Sequence, residues 1–196
     1  MKKKSFVMVL ALVLVFAVAV GGVVAWLTDT TGSVVNTFTV GDINITLEES
    51  GTNPVGEKTY QVIPGDVKDK DPKVTVVAGS EACYLFVKVD VANNTVNSKD
   101  IYIFDVRTGD GEWKALAGVA GVYYREVDAA TAKTGASYYV LTGDTAHANG
   151  LVSINENLTK ADIEAIKTAN QPTLTFTAYA VQKDNIADVA TAWGKI

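Results

Sequence analysis

From residue 34 onward, apolar and polar positions alternate in short runs. Val34, Asn36, Phe38 and Val40 fall on one face of an extended segment with Thr37 and Thr39 on the other, and after Gly41-Asp42 the residues Ile43, Ile45 and Leu47 alternate with Asn44 and Thr46. A period of two is the pattern of a half-buried strand. Thr59 to Ile63 gives a short strand candidate closed by the Pro64-Gly65-Asp66 turn, Val67 to Asp71 reads as charged and exposed, and Pro72 to Val77 as another short strand. The strongest run is Ala82 to Val91, where Leu85, Val87, Val89 and Val91 share one face while the other passes from Phe86 to Lys88 and Asp90. Such a strand belongs at the centre of a core, with its second face reaching solvent near its end.

Shorter runs follow at Ile101 to Val106, Val122 to Val127, Ser137 to Leu141 and Leu151 to Ile154, with Gly109-Asp110-Gly111 as a hairpin signal before Trp113. Thr159 and Asp162 have the spacing of a capping box for a helix ending near Asn170, and Pro172 prevents its continuation. Thr173 to Gln182 alternates again, and Ile186, Val189, Ala190 and Trp193 recur at helical spacing, which predicts a terminal helix that packs Trp193. Eight or more short strands punctuated by Gly, Pro, Asn and Asp, with one or two short helices, predict an all-β fold, a jelly-roll-type β-sandwich.

The start of the chain is different in kind. Lys2, Lys3 and Lys4 precede a nearly unbroken apolar run from Ser5 to Val20 that ends at Gly21-Gly22, and Val23 and Ala25 stand third and first before Trp26. This is the grammar of a signal peptide over residues 1–25, with a signal peptidase cutting between Ala25 and Trp26. The alternative is an uncleaved anchor, because Ser5 to Leu27 reaches the roughly 20 residues that span a bilayer. Residues 26–196 then form a single β-sandwich domain, and export places it outside the cell or on its surface. Without the three leader lysines the chain keeps fourteen basic against twenty-two acidic side chains, a net charge of −8. That charge offers nothing to nucleic acid, which asks for basic stripes.

Candidate chemistry is sparse. Cys83 is the one cysteine, so no intrachain disulfide exists, and its apolar neighbours suggest a buried strand position. His147 is the one histidine and lies in a Gly/Ala/Thr-rich stretch, and no HExxH, GxSxG or GxxxxGK[ST] is present. Asp66, Asp69 and Asp71 could gather calcium, and Asp105, Asp110 and Glu112 could be proposed as paired carboxylates, yet each set reads as solvated turns. The reading is therefore of no catalytic residue, no cofactor and no metal.

The leader ending Gly-Gly-Val-Val-Ala-Trp, followed by Leu27-Thr28-Asp29, Asn36-Thr37-Phe38-Thr39-Val40-Gly41 and Ile43-Asn44-Ile45-Thr46-Leu47, resembles exported proteins of the camelysin/TasA family of Gram-positive bacteria, processed by SipW-type signal peptidases. The strand from Tyr84 to Val89 and the run from Leu174 to Gln182 look like the core strands of that group. The resemblance implies a jelly roll that polymerises into extracellular biofilm-matrix fibres, the freed N-terminal strand completing the next subunit's sheet, with an accessory assembly protein as a further partner. Some relatives carry a metalloprotease label, for which this chain has no recognisable zinc ligands. On this reading residues 26–40 are the donor strand and Trp26, Leu27, Val34, Asn36, Phe38 and Val40 the polymerisation residues, with self as the head-to-tail partner. A second reading is a monomeric or membrane-tethered surface protein that binds through loops around Tyr123-Tyr124 and Tyr138-Tyr139.

Overall fold

A computed structural model describes residues 41–50 and 58–196, which belong to one compact unit, Val40–Ile196. The expected signal peptide, its cleavage at Ala25 and the donor segment lie outside the described residues. In chain order the strands are β1 (Ile45–Glu48), β2 (Val67–Asp69), β3 (Lys73–Val76), β4 (Cys83–Ala92), β5 (Thr95–Val96), β6 (Lys99–Asp100), β7 (Tyr102–Ile103), β8 (Lys114–Ala115), β9 (Val122–Val127), β10 (Ala136–Tyr139), β11 (Leu151–Ile154) and β12 (Thr173–Gln182). Among the described residues three short helices accompany them: α1 (Ala129–Thr134), α2 (Lys160–Thr168) and α3 (Val189–Trp193). The fold is all-β, its strands paired antiparallel in the orders β1-β3-β10, β2-β11-β7, β12-β4-β9-β8 and β5-β6.

β4 holds the centre because it is apolar on both faces. Leu85 and Val87 point into one core with Val74 and Val76 of β3 and Val152 and Ile154 of β11, while Tyr84 and Phe86 point the opposite way into a second cluster with Leu116, Val122 and Ala192. Trp193 closes that second cluster, its ring 5.3 Å from Phe86 and 5.8 Å from Tyr179, as the helical spacing of the tail predicts. Cys83 is fully buried, and burial pushes its thiol up to about 11, so it behaves as a small apolar side chain.

Several expectations need correction. Thr59 to Ile63 forms no strand; the Tyr60 hydroxyl donates to the Asp69 carbonyl at 2.8 Å instead, so the segment is held through a side chain. Val67 to Asp71 is not simply exposed: Val67–Asp69 is β2, and Lys70 is buried. The run from Ile101 to Val106 supplies only the two-residue β7 and a single bridge from Val106 to Leu141. The Gly109 turn is present, Glu112 N–H donating to the Gly109 carbonyl at 3.1 Å, but it joins no antiparallel hairpin because Thr108 and Trp113 bridge in parallel. α1 is a helix the alternation does not announce; Asp128 caps it by accepting from the Thr131 N–H at 2.8 Å.

Candidate functional site

β12 runs the full length of β4, from Thr173 opposite Ala92 to Gln182 opposite Cys83. On its other side it has no hydrogen-bonded neighbour among the described strands, and β1 is likewise terminal in its own sheet. The two strands lie near each other across this seam. A row of unpaired backbone N–H and C=O groups at a sheet edge is a template for another strand, and most proteins cover or disrupt it.

The inward row of β12 records the gap. Leu174, Phe176, Ala178 and Ala180 face the core that Leu85 and Val87 fill, yet all four are only half-buried. Leu47 of β1 pairs with the fully buried Val74 but remains 36% exposed. Between Leu47 and the Leu174–Phe176 end of β12 opens a groove of about 710 Å³, lined also by Val62, Tyr102, Val152 and Ile154. The inward-facing row of β12 is thus less covered than the core residues it packs against, which are buried.

The groove is not wholly apolar. Lys70 Nζ sits 2.6 Å from Glu49 Oε2, with the two side chains 10% and 8% exposed. The Tyr60 hydroxyl shares its one proton between the Asp69 carbonyl and Glu49 Oε1, 3.0 Å away, and burial together with the Glu49 carboxylate pushes that hydroxyl well above the ordinary phenol range. The Lys70 ammonium also stands 5.5 Å from the Phe176 ring centre and 5.8 Å from that of Tyr60. One polar cluster is therefore set against the Phe176 end of the apolar row. The alternation Lys68, Lys70, Pro72, Val74, Val76 carries the signal for this: it continues the buried face of β3 backwards through Lys70, where charge alone suggests exposure.

The remaining residues singled out from the sequence are brought to other tasks. The signal and polymerisation residues Val23, Ala25, Trp26, Leu27, Val34, Asn36, Phe38 and Val40 lie outside the described residues. Tyr123 and Tyr124 split between the two apolar clusters, Tyr138 packs edge-on to Trp113 at 6.4 Å with the Arg125 guanidinium 4.0 Å from its ring, and Tyr139 lies 5.9 Å from Arg107. Arg125 reaches Glu112 at 2.9 Å and donates to the Gly111 carbonyl. Asp66 is held below the usual carboxylate range by its hydrogen bond to Lys68, and Asp71 accepts from the Ser50 N–H. Asp144 turns the 144–147 segment, accepting from the Ala146 and His147 N–H groups and lying 3.0 Å from His147 Nδ1. Among the described residues, no group of three or more His, Cys, Asp or Glu side chains is placed to hold a metal ion.

No protein-family model, no curated protein and no solved structure matches this chain.

Proposed function

We propose that this protein is a secreted structural subunit that polymerises head to tail into extracellular fibres, with residues 26–40 of one copy laid along the free edge of β12 in the next, completing a jelly-roll sandwich. The observation that carries the reading is the half-buried row Leu174, Phe176, Ala178, Ala180 beside an edge with no described partner. A strand added there gains main-chain hydrogen bonds along the edge while its alternate side chains enter the groove. Each Val or Phe side chain moved from water into such a groove contributes about 1.5–3 kcal/mol before the cost of ordering the segment. The contact is heterologous, so it does not close on itself and grows into a filament.

Cleavage after Ala25 by a signal peptidase then acts as the switch, converting a membrane-held precursor into a subunit with a free donor. The role is structural, without catalysis or cofactor, and an accessory assembly protein is a further partner whose need shows as slow growth of the pure subunit. The test is electron microscopy of the exported protein with and without residues 26–35. The intact form gives long filaments and the truncated form none; unaltered filaments from the truncated form overturn the donor role. The surface-binder reading draws no support from the tyrosine pairs, which pack against arginines, Trp113 and the two apolar clusters, and light scattering that finds only small particles after leader removal would favour it over the fibre.

A further inference from the structure

The inward row of β12 has four positions, Leu174, Phe176, Ala178 and Ala180, bounded at one end by Pro172, which has no N–H to give a ladder. The donor row also has four, Val34, Asn36, Phe38 and Val40, and each row spans roughly 20 Å of extended chain. One member of the donor row, Asn36, is polar. An amide carried into the groove needs a partner there, and the buried charged group in the groove wall is the Lys70–Glu49 pair with Tyr60, beside the Phe176 ring. Lys70 brings three N–H donors to that point, matching the amide oxygen.

Fixing Asn36 beside Phe176 leaves two directions for the strand. Run antiparallel to β12, the segment places Phe38 beside Leu174 and carries Val40 past the strand end alongside Pro172. Run parallel, it matches all four positions and sets the large Phe38 against the small Ala178. The other antiparallel register that matches all four puts Asn36 beside Ala178, away from the Lys70 cluster at Phe176.

The geometry points to a parallel docking of residues 34–40 from a second copy along β12, with Val34 beside Leu174, Asn36 beside Phe176 at the Lys70 cluster, Phe38 beside Ala178 and Val40 beside Ala180. This rests on the donor-strand reading above and adds the direction and register, and with them the polarity of successive subunits. A polar residue in one position of an apolar row is an established way to fix register.

Cysteine cross-linking on the outward face decides it. Thr175 is exposed and alternates with the inward row of β12, the docked strand would present Val35, Thr37 and Thr39 on that same face, and neighbouring strands bring Cα atoms within disulfide range. Thr175→Cys is combined in the exported full chain with Val35→Cys, Thr37→Cys or Thr39→Cys; Cys83 is fully buried and does not compete. The expected result is a ladder of disulfide-linked multimers from the Val35→Cys pair alone, and loss of that selectivity when Asn36→Leu is added. A ladder from the Thr37→Cys or Thr39→Cys pair overturns the parallel register while leaving the donor reading intact. No ladder from any pair, in samples whose parent without the added cysteines forms long filaments by light scattering, overturns the docking on β12; a parent that forms none shows that the donor reading itself has failed.

Discussion

β4 and β12 are both ten residues long, both alternate aliphatic and aromatic residues with threonine or charge, and pair with each other along their whole length. They nevertheless live in different solvents. From Cys83 to Val87 every residue of β4 is buried, whereas no residue of β12 is. The difference does not come from composition, since Leu174, Phe176, Tyr179 and Val181 are as apolar as their partners. It comes from the neighbours: β9 closes one side of β4 and β12 the other, while β12 has only β4 among the described strands. Burial is a property of the pairing, so an apolar strand with a described neighbour on one side only keeps part of its surface in contact with water.

The largest effect expected from this contrast is on stability. Phe86→Ala removes a fully buried ring packed at a tilt against Trp193 and is expected to cost about 4 kcal/mol, while Phe176→Ala at the half-buried edge costs about 2 kcal/mol in the unassembled protein. Urea unfolding of the two variants measures this. Equal losses would mean that the edge is as well covered as the centre, and the case for an unpartnered β12 would fall with them.

Next in size is the polar cluster. Lys70→Met leaves the Glu49 carboxylate in the groove wall without its ammonium, and breaking a buried pair by removing one partner costs about 3–5 kcal/mol. The double change Lys70→Met with Glu49→Leu is expected to recover much of that loss, because two charges cost more to bury than two hydrocarbons. Comparing the single and double variants by denaturation separates the pair's own contribution from the penalty of orphaning one charge. An equal loss in both variants would place the importance of Lys70 in its packing against Phe176 and Tyr60.

What was readable in the sequence followed from strong local signals. β4 and β12 each carry an unbroken apolar row at every second position, α2 has its capping box, and Trp193 has helical spacing to Ile186, Val189 and Ala190. What was not readable depends on distant partners. The Tyr60 segment looks like a strand by composition, but its hydroxyl is tied to Asp69 and Glu49, which no local rule anticipates. Lys70 looks solvated until β1 brings Glu49 beside it. The groove is the least legible feature of all, because it is defined by what lies next to Leu174 and Phe176 and not by those residues.

The smallest effect concerns the corner where β4 ends and β12 begins. The hairpin β5-β6 that follows β4 sends Asn97 and Lys99 to Asp162 of α2, at 2.7 and 2.8 Å, and α2 leads through Pro172 into β12. Asn97 and Ser98 adopt positive φ of 46° and 64°, the tight turn that aims these side chains. Thr159 and Asp162 complete the capping box, the Thr159 N–H donating to Asp162 Oδ2 at 2.8 Å. Thr159→Ala is expected to cost about 1 kcal/mol at neutral pH, the ordinary loss of a threonine N-cap. The Asp162 carboxyl carries the pH dependence: the hydrogen bond from Lys99, then those from the Thr159 N–H, Asn97 and the Thr159 hydroxyl, hold it well below its ordinary value of 3.8. A carboxyl depressed in the folded state stabilises the fold above its unfolded pKa and loses that contribution as pH falls below it. Urea midpoints of the parent and Asp162→Asn should therefore differ most at pH 6, and the gap should begin to narrow as the pH falls below the ordinary value of 3.8, closing only below the depressed folded-state value. A gap that stays constant over that range would show that the Asp162 charge does not tie the end of β4 to the start of β12.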